Sequence, residues 1–345
     1  MKNGKFFDDK VVLVTGGTGS IGGALVRRLL SLDISKVVLF SRDETKHFTI
    51  RRMLSDSRLD TVIGDVRDPS TMEDMFETMK FDVVFHAAAM KHVTLSEFFA
   101  GESAKTNVIG TQNIVHLARK HHVPVLMNVS TDKAVYPTSV LGASKLMAER
   151  IVTAGGFCSV RFGNVAGSRG SVIPVLLGEM ASHRRLTITD GNVTRFLMRP
   201  DEAVDLVLGA SEVAHGGNIY VAGMKSFKLS ELVKVFVNDI APELGLKPSS
   251  IDVKEEGLLK GEKLHEEILT EEEVPKLYSI KEVYTLTSDA KWVRAEGAKK
   301  VESFAKSSAT APRLTHNELK GIVSQAAQEH MGLATSWKGS ALRPE

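Results

Sequence analysis

From residue 11 onward, short runs of β-branched and other apolar residues alternate with longer stretches in which apolar side chains return every three or four positions. The runs at 11–14, 37–40, 61–63, 83–86, 125–129 and 159–162 have the length and composition of buried strands, and the stretches at 21–32, 44–54, 71–79, 103–121 and 142–154 have helical spacing. Each helix carries the chain back to begin the next strand in the same direction, so the alternation means βαβ units and a parallel sheet. The expected fold is α/β, a Rossmann-type doubly wound parallel sheet. Gly, Pro and Ser gather at 163–174, where the alternation loosens. Beyond it, 201–214 and 229–244 read as helices and 218–221 as a strand able to rejoin the sheet. Residues 286–311 hold many Ala, Ser and Lys with few large apolar groups and read as irregular or mobile. These shifts predict a doubly wound domain over 1–165, a smaller C-terminal lobe over 166–285 with return segments to the sheet, and an irregular segment with a C-terminal helix over 286–345.

Composition narrows the partners. With 43% hydrophobic residues among 345 the chain can fill a real core. Its 44 basic and 42 acidic residues nearly cancel without clustering, so no nucleic acid is expected. Cys158 is the only cysteine, which rules out an internal disulfide and suits a reducing compartment. The N-terminus lacks the apolar core of a signal peptide, and no apolar stretch approaches the ~20 residues that span a bilayer. A cytoplasmic protein with no membrane partner is the expectation.

Directly after the first strand, Thr15-Gly16-Gly17-Thr18-Gly19-Ser20-Ile21-Gly22 puts glycines at 16, 19 and 22 where a helix opens. Gly16 permits a tight turn, Gly19 lets backbone N–H groups approach a pyrophosphate, and Gly22 allows close packing of the helix, whose N-terminal dipole faces the anion. Strand before and helix after give the motif its context as a dinucleotide cradle, with Thr18, Ser20 and Ile21 beside the phosphates. The second strand ends in Phe40-Ser41-Arg42-Asp43-Glu44. A carboxylate there would hold the ribose 2′-OH of NAD; Ser41, Arg42 and Lys46 instead offer a hydroxyl and two cations to a 2′-phosphate, so the cofactor is expected to be NADP. The competing assignment has Arg42 stacking on adenine and Asp43 taking the ribose hydroxyls. Asp65 and Val66 follow the third strand at the adenine, and Ala87, Ala88 and Ala89 follow the fourth, where small side chains let the cofactor approach closely.

The fifth strand runs into Asn128-Val129-Ser130-Thr131-Asp132-Lys133, and the next helix carries Gly142-Ala143-Ser144-Lys145. With the glycine motif and the Ala-rich turn, these resemble the extended short-chain dehydrogenase/reductase family over almost the whole chain. More narrowly, Ala88-Ala89-Met90-Lys91-His92-Val93, Ser130 to Val135, Arg161 to Val165, Ser168 to Val172 and Gly261 to Glu266 are similar to the inverting UDP-N-acetylglucosamine 4,6-dehydratases of bacterial surface-glycan pathways. The resemblance implies an NADP-dependent hydro-lyase acting on a UDP-N-acetylhexosamine, with no metal, in a homo-oligomer whose suggested size is a hexamer. It assigns Asn107 and Leu141 to the cofactor, Lys145 to cofactor and catalysis, and Lys91, Asn164, Val172, Arg195 and Glu262 to the substrate.

The chemistry implied is oxidation at C4, loss of water across C5 and C6, and return of hydride to C6. Lys133, if neutral, is the base at C5, favoured in that state by the positive charge of Lys145. Asp132, if protonated, is the acid for the C6 hydroxyl. The family tyrosine four residues before the helix lysine falls at 141, where this chain has Leu141; a capsule-related branch of the dehydratases shares an apolar residue there, and the C4 proton would leave through Thr131 and water to Lys145. Relatives also place an arginine for the diphosphate where Leu259 stands. Two other readings compete: a UDP-hexosamine 4-epimerase, and a non-catalytic NADP-binding or sensing protein.

Overall fold

A computed structural model describes residues 4–340, and their side chains up to 329. The first six strands are β1 (Val11–Thr15), β2 (Lys36–Ser41), β3 (Leu59–Ile63), β4 (Val83–His86), β5 (Val125–Val129) and β6 (Cys158–Arg161). They lie parallel in the order 3-2-1-4-5-6, and Ile219–Val221 continues the parallel run beside β6. Val283–Leu286, Leu277–Ile280 and Lys299–Lys300 then add antiparallel strands, giving ten in the sheet among the described residues. The direction of strand addition reverses between β1 and β4, and such a switch point opens a crevice at the strands' C-terminal ends.

The helices on the sheet follow from their stripes. α1 (Ser20–Leu30) buries Leu25, Val26, Leu29 and Leu30, each of which contributes about 1.5–3 kcal/mol by leaving water. α2 (Glu44–Leu54) and α3 (Pro69–Thr78) start at side-chain caps, Asp43 and Asp68. α4 (Val93–Phe98) precedes a run predicted as one helix over 103–121. The run starts earlier and is not uniform: α5 (Ala100–Ala104) passes through a π-turn at Lys105–Ile109 into α6 (Gly110–Lys120). α7 (Val140–Ala154) is capped by Ser139, whose Oγ accepts from Gly142 N at 3.1 Å.

The chain divides into two compact units, and it passes between them at Phe162, Pro200, Gly223, Glu266 and Lys306. The expected succession of blocks therefore gives way to interleaving: 201–223 and 267–306 belong with the Rossmann sheet. Residues 286–306, expected to be irregular, form part of that sheet and the helix Ala290–Ala295. Few apolar residues suffice because Trp292 is buried and stacks on His215 at 5.3 Å, and Asp289 caps the helix through the Lys291 and Trp292 amides. The second unit holds the three-stranded sheet of Asn164–Val165, Thr194–Met198 and Lys225–Lys228 and the two-stranded sheet of Arg185–Ile188 and Asp252–Glu255. Its core joins Ile173, Leu176 and Met180 of the helix Val172–His183 to Leu232, Val235 and Phe236 and to Leu319, Ile322 and Val323 of the helix His316–Ser340.

Candidate active site

The glycine cradle fits a dinucleotide on its own geometry. Gly16 has φ +67°, and a Cβ there would stand 2.7 Å from the Ala87 and Ala88 backbone, so the turn after β1 presses against the Ala-rich turn after β4. At Gly22 a Cβ would lie 2.3 Å from Gly16 O: this glycine lets the first turn of α1 close over the loop itself. Gly19 is the N-cap of α1, and unlike α2 and α3 this helix has no side-chain cap, which suits an anion at its N-terminus. Thr18 is buried, Ser20 and Ile21 are half-buried, and Ala87 and Ala88 are half-buried beside the exposed Ala89.

At the end of β2, Ser41 Oγ lies 2.9 Å from Thr18 Oγ1. The two cations predicted for a 2′-phosphate have carboxylate partners. Arg42 Nη1 is 3.5 Å from Asp65 Oδ2, and Lys46 Nζ is 2.5 Å from Asp43 Oδ2. Burial pushes the Asp65 carboxyl up, but hydrogen bonds from Arg67 and the charges of Arg67 and Arg42 leave it below its ordinary value. Asp65 thus orders the charged loop. Val66 is buried, and a Cβ at Gly110 of α6 would meet its Cγ2 at 2.7 Å.

The residues predicted to react cluster after β5. Thr131 caps a 3₁₀ turn, Asp132–Ala134, and its Oγ1 donates to Asp132 Oδ1 at 2.8 Å. Lys133 Nζ donates to the same oxygen at 3.0 Å. Asp132 is fully buried, and its other oxygen, Oδ2, has no hydrogen-bond partner. The first turn of α7 packs directly on this loop, since a Cβ at Gly142 would stand 2.3 Å from Lys133 O. One turn along, the buried Lys145 donates to Val129 O at 2.6 Å. Burial lowers its pKa to about 8 against the opposing pull of Glu149. Leu141, in the same first turn, is buried, and Ser144 Oγ donates to its carbonyl at 2.8 Å.

Asn107 sits on the π-turn. Its amide accepts from Met90 N at 2.8 Å and donates to Met90 O at 3.0 Å and to Ser144 Oγ at 2.9 Å, tying the loop after β4 to α7. Sequence reasoning missed His86 beside it. Its Nδ1 lies 2.7 Å from Thr15 Oγ1, and its Nε2 lies 3.0 Å from Thr111 Oγ1, which itself donates to Asn107 O at 2.7 Å. The Thr111 proton being committed, Nε2 carries the ring proton and Nδ1 accepts. Burial and then the charge of Lys145 bring the His86 pKa down to about 3, so the ring is a neutral brace across the switch point. Its only sequence signal is a polar residue at the end of an apolar strand.

Of the residues assigned to the substrate, Lys91 is exposed in the first unit. In the second unit, Arg195 Nη2 donates to Glu262 Oε1 at 2.6 Å, and Arg195 Nη1 donates to Thr194 O at 2.8 Å. Leu259 N donates to Glu262 Oε2 at 3.2 Å, so Leu259 helps fix the carboxylate by its backbone. Asn164 pairs in the three-stranded sheet, and Val172 opens its helix, half-buried. No group of His, Cys, Asp and Glu that could hold a metal ion occurs among the described residues, and no helix among them is long and apolar enough to cross a membrane.

Known proteins agree with this architecture. The solved structure of Pen from Bacillus thuringiensis superposes with a TM-score of 0.86 at 33% identity, covering 93% of this chain and 99% of that one. A dTDP-glucose 4,6-dehydratase from Streptomyces venezuelae, solved with NAD bound, shares the fold with a TM-score of 0.69 at 24% identity. In sequence, an uncharacterized membrane protein of Methanocaldococcus jannaschii is 39% identical over 86% of this chain and 96% of its own length. The UDP-glucose 4-epimerase of Rickettsia bellii is 35% identical over 92% of this chain and 96% of its own. Residues 12–288 match the family described as polysaccharide biosynthesis protein, and the chain, with its doubly wound sheet and glycine cradle, belongs to that family.

Proposed function

We propose that the protein is a C5-inverting 4,6-dehydratase of UDP-N-acetylglucosamine that uses NADP. The observation that carries the reading is the pair of a fully buried Asp132 with a half-buried Lys133 at the C-terminal end of β5. Bound NADP+ supplies the acceptor for hydride from C4 and its donor back to C6. The chain's own residues move the protons. A ketone at C4 acidifies the C5 proton, which Lys133 takes as a neutral amine, while Asp132 as a neutral acid protonates the departing C6 hydroxyl. The 3.0 Å hydrogen bond between them lets one proton pass from Lys133 to Asp132, which turns the resting ion pair into this working form. Elimination then returns the pair to lysinium and carboxylate as water leaves, and C5 takes a proton on its opposite face, from Lys133 or from water, as C6 is reduced, which inverts C5. The unpartnered, buried Asp132 Oδ2 supports the acid role, since a C6 hydroxyl would satisfy it. Lys145, whose pKa of about 8 leaves a fraction of it neutral near neutral pH, accepts the C4 hydroxyl proton in that form in place of a phenol.

A second reading, a UDP-hexose 4-epimerase, is favoured by the 35% identity to the Rickettsia bellii enzyme. The two part at the product. Incubation with NADP+ and UDP-N-acetylglucosamine in D2O, followed by mass spectrometry and proton NMR, is expected to give a 4-keto-6-deoxy sugar that has lost one water and gained deuterium at C5. An isomer of unchanged mass with no C5 label would replace this reading with the epimerase.

A further inference from the structure

α2 docks on the sheet in an unusual way. Surface helices bury an apolar stripe, yet among the described residues of α2 only His47 is buried, while Phe48 and Met53 are 66% and 64% exposed. The imidazole meets Ser41 twice, with Nε2 2.9 Å from its Oγ and 3.0 Å from its carbonyl oxygen. A carbonyl only accepts, so Nε2 carries the proton and the serine Oγ lies within its reach as an acceptor. The hydroxyl hydrogen of Ser41 therefore points away from His47, and in the 2.9 Å contact with Thr18 Oγ1 either hydroxyl can donate, so that Thr18 can donate and leave the Ser41 hydrogen for a ligand. His47 Nδ1 is buried without a partner, which disfavours a second ring proton, and burial lowers the pKa of the ring. A neutral histidine thus presets a serine donor at the end of β2, the place where Rossmann folds read the 2′ substituent of the adenosine ribose.

We propose that His47 is a positioning residue of the dinucleotide site, which sets the preference for NADP over NAD by aiming the Ser41 hydroxyl at the 2′-phosphate. The proposal rests on the cofactor reading above. A phosphate gains a charge-assisted hydrogen bond from that hydroxyl, whereas the neutral 2′-OH of NAD gains a weaker one. The same contact fixes the first turn of α2, which carries Lys46 and is capped by Asp43.

Fluorescence titration of NADPH and NADH against the parent, His47→Leu, His47→Gln, Ser41→Ala and the Ser41→Ala/His47→Leu double variant tests it. His47→Leu is expected to weaken NADPH by about tenfold, the size of one charge-assisted hydrogen bond, and to leave NADH nearly unchanged. His47→Gln, which keeps an N–H donor, should restore most of the preference, and on the Ser41→Ala background His47→Leu should add nothing to the NADPH:NADH ratio. Equal losses for both cofactors, or a ratio that His47→Leu leaves intact in a folded protein, overturn the proposal alone. A parent that binds the two cofactors equally overturns the NADP reading and this proposal with it. Should His47→Leu fail to fold, His47→Asn, too short to reach Ser41, takes its place with the same expectations.

Discussion

The ends of β5 and β2 each set lysine or arginine against aspartate, and they differ in water. After β5, Asp132 is fully buried, the Lys133 side chain is 20% exposed, and Lys145 is 6% exposed. After β2, Arg42 and Lys46 are 56% and 47% exposed. Exposed pairs contribute about 0–1 kcal/mol, so Arg42 and Lys46 can leave Asp65 and Asp43 for an arriving phosphate at little cost. A buried pair cannot exchange partners so cheaply, because an unpaired charge in the interior costs several kcal/mol. Under the proposed function, the same residue types serve as a binding site where water screens them and as a proton-moving site where it does not.

The largest effects should come from breaking the buried end. Lys133→Ala is expected to abolish both dehydration and deuterium entry at C5. Asp132→Asn, which keeps the shape of the carboxyl, should lower dehydration by ~10²–10⁴-fold, the usual worth of a positioned acid. Substantial turnover by a folded Lys133→Ala protein would remove the pair from the mechanism.

Next in size is Lys145→Met, expected to cost ~10²–10⁴-fold in turnover through loss of the C4 base. It also has a readout that needs no substrate. The unfolded chain holds the Lys145 proton up to its ordinary value of 10.5, whereas the folded protein gives it up from about 8. The unfolded state binds more protons across that window, so the stability owed to this group rises with pH between about 8 and 10.5. Urea midpoints of the parent should gain on those of Lys145→Met over that range, and a difference independent of pH would show that Lys145 is not held in a depressed state.

How far the sequence disclosed these sites follows the same division. Gly16 and Gly22 were readable because a backbone demand leaves only one residue type, and the β5 and α7 motifs were readable because their groups are near in sequence. The β1-to-β6 core followed from periodicity alone. His86 and His47 were not readable: each becomes a brace only when strands and helices from distant segments enclose it, and a lone histidine carries no mark of that. The π-turn at Asn107 hides inside an ordinary helical pattern. Residues 286–306 looked irregular because composition counts apolar residues, whereas one Trp292, one cap and edge pairing hold that segment.

At the exposed end, Arg42→Ala should narrow the preference for NADPH over NADH by ~10–100-fold, as expected for a charge-assisted contact, and should leave thermal stability nearly unchanged because its pair with Asp65 is screened. The ratio of dissociation constants measures the first, and the melting temperature the second. A large fall in melting temperature with an unaltered ratio would make Arg42 a structural residue and weaken the contrast between the two ends.

The smallest effect is expected at Leu141, and it bears on whether the buried end works at all. Leu141 is 4% exposed in the first turn of α7, and its carbonyl accepts from Ser144 Oγ, which Asn107 also engages. The backbone of this residue is thus part of the bracing, while the side chain supplies bulk. Leu141→Met conserves volume, should cost less than about 1.5 kcal/mol of stability, and should turn over nearly as fast as the parent. Leu141→Tyr separates the two roles the position can have. If Lys145 takes the C4 proton directly, a phenol crowds a filled space and slows the reaction. If the parent proves inert toward UDP-N-acetylglucosamine and Leu141→Tyr gains dehydration, the natural protein has kept the pair but lost catalysis, and a cofactor-sensing role takes the place of the dehydratase.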